Sequence, residues 1–436
     1  MPTQLAPARE LAPPGRERLP TPRLYWLVAA GLVVLALVTG VAAVADVRER
    51  SALLTDVAEV KAPISVDAQT LYRSLAEADA IAATAFLSTT GESATLRTRY
   101  LDGIARASTA LTVALRDADD DETARLRVVA EQLPVYTGLV ETARSNQRHG
   151  VPLGGAYLRE ASGLMQQTIL PAAAGVFDST HRRLVGEQEE ADGFPWLAAF
   201  FGALLAAALL WAQVLVARRS RRTFNLGLVA ASGVTVLALL WSVVALGAST
   251  GRLETGPGSP AKQVLVLANA GRAALQARAN ESLTLVARGG GATFETEFVS
   301  QLDELIGVDG QGGLLAAALA ETEADSRVAV FIDQARTEAN QWRKLHQGVR
   351  AADNGGDWNR AVELATATGE QDLPAVFTRL DTALTGALAA GNQQVDGQTG
   401  GAGSALTGLS AGFVLLTVGL MVAVGLGFRP RIGEYR

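Results

Sequence analysis

The chain has 436 residues, no cysteine, and a net charge of -6 from 38 basic and 44 acidic residues. Without cysteine there is no disulfide frame and no thiolate metal site, and the negative balance gives no electrostatic footprint for nucleic acid. Length alone would suggest about two or three soluble domains, but four long apolar runs change that count and leave two polar segments, each long enough for its own core.

Residues 1–23 are rich in proline and arginine and carry no apolar periodicity, so a disordered tail is expected there. Residues 24–45 form the first apolar run. It is too long for the ~7–15-residue core of a signal peptide and is read as a retained span. From Asp46 to Lys61 neither Gly nor Pro intervenes, so the span is expected to continue into the first helix of a domain covering 46–193. Ile64, Ala68, Leu71, Leu75, Ala78, Ala82 and Ala85 follow 3-4 spacing, a seam whose alanines allow close helix approach. Thr89-Thr90-Gly91 ends that helix, and Leu101, Ile104, Leu111 and Leu115 carry the next. The acidic run 117–122 suits the start of a third helix, whose inward face reads Leu126, Val129, Leu133, Tyr136, Val140 and Ala143. Pro134 should bend it. A fourth helix is expected from Tyr157 toward Glu190, kinked at Pro171.

The middle of the chain organises the rest. Two charge-free runs, 194–217 and 224–248, each exceed the ~20 residues a helix needs to cross a bilayer. Between them, residues 218–223 carry Arg218, Arg219, Arg221 and Arg222, which marks a tight cytoplasmic turn. Residues 249–404 then repeat the plan of the first domain. Leu302-Asp303 answers Leu101-Asp102, Trp342 answers Tyr136, and Leu373-Pro374-Ala375 with Asp381 answers Leu170-Pro171-Ala172 with Asp178. The offset near 200 residues points to a duplication. Residues 405–428 form the fourth span and 429–436 a short basic tail. Glycine-rich breaks are expected at Gly193-Phe194-Pro195, at 251–260 and at 397–403, where the chain joins the spans. The fold class expected is therefore an all-α membrane protein, with four transmembrane helices and two tandem extracytoplasmic four-helix bundles. Arginines place both termini and the hairpin turn on the cytoplasmic side of the plasma membrane. Trp26, Trp196, Trp211 and Trp241 fall near span ends as interfacial indoles do.

The chemistry on offer is sparse. His149, His181 and His346 are far apart in sequence and are read as surface residues. Gly289–Gly291 and Gly310–Gly313 lack the flanking strand, lysine and hydroxyl of a phosphate loop, and no nucleophile elbow is present. Asn280-Glu281-Ser282 matches a glycosylation acceptor but lies in a helical pattern. The polar residues within the spans (Thr39, Gln213, Asn225, Ser232, Thr235, Ser242 and Thr417) are uncharged, which fits contacts between helices better than an ion path. No catalytic residue, cofactor or metal ligand is expected, and the chain is read as a non-enzyme. The bundle turns at 89–93, 147–156, 288–294 and 353–358 should be distal, so Glu92, His149, Arg288, Asp357 and Trp358 are the candidate contacts for an extracytoplasmic partner. For Trp358 the alternative is a cap on the bundle core. Arg218, Arg219, Arg221, Arg222, Arg429, Arg431 and Tyr435 are the candidate contacts for a cytosolic one, or serve orientation alone.

Each unit of span, four helices and span resembles the ligand-sensing region of bacterial chemoreceptors and sensor kinases in helix number, length and placement. No linker domain, kinase or methyl-accepting region follows. The tandem arrangement around an arginine hairpin, with a tail ending Glu434-Tyr435-Arg436, is similar to one actinobacterial family of four-span membrane proteins. Members of that family are encoded alongside an amino-acid-binding lipoprotein of the glutamine-transport type and the soluble serine/threonine protein kinase G. The resemblance implies a transducer that couples the solute-binding lipoprotein outside to the kinase inside. Membrane lipid and a second copy of the chain are further expected partners. A transport accessory or permease-like protein and a structural envelope scaffold are the competing readings.

Overall fold

The computed structural model describes residues 21–56, 62–87, 93–151, 153–192, 196–220, 225–250, 260–322, 326–406 and 408–433. Among them the regular structure is helical throughout. The chain opens with α1 (Thr21–Asp56), α2 (Ala62–Phe86), α3 (Ala94–Asp117) and α4 (Asp120–Arg148). Next comes one rod made of α5 (Gly154–Leu164), a π-helical turn (Met165–Ile169) and α6 (Leu170–Asp192). Two apolar helices follow, α7 (Trp196–Ser220) and α8 (Leu226–Thr250). The remainder is α9 (Pro260–Val286), α10 (Ala292–Ile306), α11 (Gly313–Ala320), α12 (Arg327–Asn354), α13 (Trp358–Thr366), α14 (Leu373–Leu406) and α15 (Leu409–Gly433).

These elements sort into two units. The span unit comprises Met1–Glu49, Phe194–Gly247 and Leu406–Arg436. Three stretches in it, Arg23–Ala52, Trp196–Arg218 and Leu409–Arg429, are long and apolar enough to cross a membrane, which makes this a multi-pass membrane protein. The described apolar stretch of α8 is shorter, Leu226–Ser242. The helices meet at small residues. A Cβ on Gly227 of α8 would overlap the backbone of Gly427 in α15, so only glycine lets those two helices approach so closely. The neighbouring Asn225 Nδ2 donates to Gly427 O at 2.8 Å. Gln213 of α7 donates to Ser232 Oγ of α8 at 2.7 Å, and Thr39 of α1 reaches Phe201 O of α7 at 3.3 Å. Thr39, Gln213, Asn225 and Ser232 thus serve contacts between helices, whereas Thr235, Ser242 and Thr417 bond the carbonyl one turn back in their own helices.

The paired unit comprises Arg50–Gly193 and Ala248–Ala405. The sequence suggests a separate core for each segment. Instead α2 packs directly on α9, and residues from both halves, such as Leu75, Tyr136 and Phe177 with Leu283, Trp342 and Leu380, belong to one continuous core. The reason is visible in the seam helices. Alanines on both (Ala68, Ala78 and Ala82; Ala270, Ala274 and Ala277) are buried and let two backbones meet where larger side chains would hold them apart.

Several local expectations change. Leu101 faces solvent at 47% exposure, while Tyr100, Ala107, Ala110 and Ala114 turn inward with Leu111. Small residues bring α3 close to α2 and rotate the leucine out. Pro171 lies in the first turn of α6. It follows a π-helical turn, which supplies the extra residue that a proline, with no N–H and a ring facing the preceding turn, requires. The glycines at 397–403 do not break the chain, since α14 runs to Leu406 and each glycine costs a helix only ~1 kcal/mol. The break falls at Gly408, whose φ is 81°. The expected breaks at 193–195 and 251–259 lie outside the described residues.

Candidate functional site

The ends of α2, α4 and α9 and the starts of α5 and α13 meet at one end of the paired unit. Gln147 Nε2 at the end of α4 donates to Phe86 O at the end of α2, 2.5 Å away. Gly155, in the first turn of α5, abuts Val286 at the end of α9. Trp358, the first residue of α13, donates its indole N–H to Leu285 O at 2.9 Å. Arg288 sits with its guanidinium 4.2 Å from the centre of the Trp358 ring, a cation–π contact. Arg288 also holds φ at 45°, a left-handed conformation uncommon for a residue with a side chain. Asp357 caps α13 by accepting from Arg360 N.

The structure therefore brings Arg288, Asp357 and Trp358 into one cluster. His149, exposed at the end of α4, bonds Ser145 O through Nδ1 at 2.7 Å and lies on the turn that approaches α9. Glu92 lies outside the described residues. Val151, Leu153 and Tyr157 are exposed beside this cluster, and Arg148 and Arg288 are exposed with them. The surface is apolar with a cationic fringe.

A second arrangement, unforeseen from the sequence, lies along the seam between the halves. Arg73 on α2 pairs with Asp381 on α14 at 2.5 Å, and Arg272 on α9 pairs with Asp178 on α6 at 3.3 Å. The two pairs are reciprocal: the opening helix of each half grips the closing helix of the other. Arg272 is also stacked between the Tyr72 and Phe177 rings, 4.9 and 4.8 Å from their centres. Between the clamps runs a chain of amides. Gln166, on the π-helical turn, donates to Asn280 at 3.3 Å; Asn280 donates to Gln301 at 3.1 Å; Gln301 reaches Gln276 at 3.4 Å; and Gln276 donates to the Tyr72 hydroxyl at 2.9 Å. Burial pushes the Tyr72 pKa up to about 12, so the phenol stays protonated.

Each half also buries one carboxyl in its opening helix beside the aromatic of its long central helix. Asp79 accepts from Ser162 Oγ at 2.8 Å and Tyr136 OH at 3.2 Å, all neutral partners, and burial raises its pKa to about 6. Glu281 accepts from Trp342 Nε1 at 3.1 Å, from Arg278 at 2.5 Å and from His346 Nδ1 at 2.9 Å. Burial works against its charge, but Arg278 and His346 hold the Glu281 pKa below the usual carboxylate value. His346 is accordingly no surface histidine. It is 5% exposed, stacks on Phe298 at 3.8 Å, and bonds Glu295 through Nε2 at 3.0 Å. Burial opposes its charge too, yet the two carboxylates lift its pKa to about 9. The repeated Leu-Pro-Ala motif marked Asp178 and Asp381, but no sequence signal marked the arginines that hold them.

Of the cytoplasmic candidates, Arg218 and Arg429 are exposed on α7 and α15. Arg219 and Arg431 fall on the same two helices, with side chains outside the described set. Arg221, Arg222 and Tyr435 lie outside the described residues.

These features define a multi-pass membrane protein with an all-helical unit whose two halves are clamped along one seam. Residues 53–189, which are the first half of that unit, match the actinobacterial sensor domain. No curated protein and no solved structure matches the chain.

Proposed function

We propose that this chain is a non-enzymatic transmembrane sensor. It detects an extracytoplasmic amino-acid signal through a solute-binding lipoprotein and relays it to a cytosolic serine/threonine kinase. The observation that carries the reading is the sensor-domain match over residues 53–189 in a multi-pass membrane protein. In this reading α8, 25 residues without a charge, is the fourth span. The basic segments 1–23, 218–223 and 429–436 then share the cytoplasmic side, and both halves of the paired unit lie outside. The reciprocal clamps Arg73–Asp381 and Arg272–Asp178 support a duplication, a pair of fused chemoreceptor-like four-helix units in one chain.

The lipoprotein docks where these turns of the paired unit meet, with Trp358 and Arg288 at the centre and His149 and Asp357 beside them; Glu92 is a further candidate contact, outside the described residues. Docking transmits a signal only if it favours one arrangement of the seam over another. Inside, Arg218, Arg219, Arg221, Arg222, Arg429, Arg431 and Tyr435 receive the kinase. A photoreactive residue at position 358 should capture a solute-binding lipoprotein, and deletion of residues 429–436 should abolish the response while leaving that capture intact. Capture of no partner, together with an unchanged response in the deletion, would leave the scaffold reading in its place.

A further inference from the structure

The four helices of the span unit are unevenly packed along their length. At one end they are tight: Tyr25 of α1 meets Phe428 of α15 at 6.3 Å between ring centres, Gly227 abuts Gly427, and Leu32, Val216, Leu228 and Val424 are buried. Toward the other end the helices leave a half-open cavity of about 170 Å³ between them. All four contribute to its wall, through residues such as Gly40 and Ala43 on α1, Gly202 on α7, Ala238 on α8, and Phe413 and Leu416 on α15. Its volume is of the order of the ~150 Å³ apolar cavities that accept a small apolar molecule, and its open side gives an occupant a way in.

The polar groups on the wall decide what fits. Thr39, Thr235, Ser242 and Thr417 all line it, and each hydroxyl already donates to the carbonyl one turn back. Thr39 bonds Leu35 O at 2.8 Å, Thr235 bonds Ala231 O at 3.0 Å, Ser242 bonds Ala238 O at 2.8 Å and Thr417 bonds Phe413 O at 2.7 Å. Their hydrogens are thus spent inside the helices. Asp46, at the cavity's edge, is its one charged lining residue. A water molecule needs two to four polar partners and finds few, and a zwitterionic or anionic solute would lose its hydration without replacement. An apolar occupant costs nothing of that kind.

At the depth of helices of this length and composition, the apolar species present in excess is lipid hydrocarbon. We propose that this cavity is a lipid site that seats one acyl chain of a membrane phospholipid among α1, α7, α8 and α15. The inference rests on the four-span reading, because α8 supplies one wall. A seated chain would hold the helices apart at the end where Asp46, Trp196, Ser242 and Leu409 lie, and would make the packing of the spans sensitive to lipid composition.

The test uses the full-length protein in liposomes that contain a phospholipid with a photoreactive diazirine at the end of one acyl chain. Labelled peptides are mapped after illumination. Residues 36–47, 198–205, 234–242 and 409–420 should be labelled more heavily than the lipid-facing stretch around Leu210 and Val214, both exposed. Ala238→Phe, which fills the cavity, should cut cavity labelling severalfold and leave labelling at Leu210 unchanged. Ala43→Leu, a milder filling, should lower it in part and guards against a variant that does not fold. Equal labelling of cavity and outer face overturns the site, as does cavity labelling that neither variant reduces. A rise in melting temperature on filling, with no labelling of the native cavity, shows it empty and also overturns it. The chain has no native cysteine, so single cysteines at Ser220 and Gln311, probed with an impermeant maleimide, test the topology separately. If both react from one side, the premise has failed rather than the lipid site.

Discussion

The two halves of the paired unit solve the same construction problem with different chemistry. Both place a carboxyl in the opening helix against an aromatic of the long central helix, Asp79 against Tyr136 and Glu281 against Trp342. The second half surrounds its acid with Arg278 and His346, and ties His346 on to Glu295. The first half offers Asp79 hydroxyls, and its Oδ2 has no hydrogen bond. Their closing rods differ as well. Before the shared Leu-Pro-Ala, the first half inserts a π-helical turn into an unbroken rod, whereas the second interrupts the chain between α13 and α14. A buried charge network with several bonds fixes one arrangement at high cost if broken, while a lone buried carboxyl next to a π-helical turn leaves its surroundings easier to rearrange. The comparison teaches that duplicated segments can keep a position and reverse its electrostatic character. The half that matches the sensor domain is the one with the looser acid.

The sharpest way to break this comparison is to remove the second acid. Glu281→Ala strands the buried Arg278 and leaves His346 with Glu295 as its remaining carboxylate, and should cost about 3–5 kcal/mol. Unfolding of the full-length protein, with hydrogen exchange read on peptides from α9 and α12, should show the loss there first. If the second half stays as protected as before, the network is not what holds it.

In the first half the corresponding change has the opposite sign. Raising the Asp79 pKa from 3.8 to about 6 makes its ionised form unfavourable by on the order of 3 kcal/mol at neutral pH. The folded state binds the proton more tightly than the unfolded one, so this contribution is fully present below about pH 4 and is lost as pH rises through about 6. Asp79→Asn keeps an oxygen for Ser162 and Tyr136, and should stabilise the unit at pH 7 and flatten its pH dependence between about 4 and 6. His346 behaves differently. Its pKa rises from 6.5 to about 9, so its contribution is complete below about pH 6.5 and fades as pH climbs through about 9. Melting curves at pH 5, 7 and 9 separate the two, since Asp79→Asn alters only the acidic step.

How much of this was legible in the sequence follows from what each pattern encodes. The α4 face of Leu126, Val129, Leu133, Tyr136, Val140 and Ala143 was read correctly residue by residue, and all six are buried. Helical spacing reports burial directly. The acidic run also proved to be a helix start, with Asp119 and Glu122 closing a capping box. Spacing cannot report what arrives from 65 residues away, so the sequence alone presents His346 as a surface residue although the fold brings it to Glu281. The seam between the halves was hidden for a similar reason. The alanines of α2 announced a close approach but not the partner, and α9 shows the same composition only once the two are seen together. His149, Arg288, Asp357 and Trp358 lie on turns at one end of the paired unit, because helix length and turn position dictate that alternate turns share an end.

The reciprocal clamps provide a smaller test. Arg272 is the more buried arginine and lies between two aromatic rings, so Arg272→Ala should cost about 1–2 kcal/mol, mostly through lost stacking. Arg73 and Asp381 are about a quarter exposed, and a partly solvated pair of this kind should show a coupling of about 0.5–1 kcal/mol in a double-mutant cycle. Equal costs at both arginines would mean that the aromatic sandwich contributes nothing and that the clamps are symmetric in energy as well as in position.

The caps of the long central helices should differ least. Asp119 accepts from Glu122 N at 2.8 Å while the Glu122 carboxylate accepts from Asp119 N, and Glu122 is itself buried and held by Thr180 and Arg183. Ser326 at the start of α12 makes one bond, from Ala329 N at 3.2 Å. Asp119→Ala therefore frees the Glu122 backbone donor, removes an ion-pair partner of Arg183 and loosens a buried glutamate, and should cost about 1–2 kcal/mol, against about 0.5–1 kcal/mol for Ser326→Ala. The order matters more than the values. If the serine cap proved the costlier, the start of α4 would be held by tertiary packing of Glu122 alone. The capping box would then be a consequence of that packing and no longer a cause of where the helix begins.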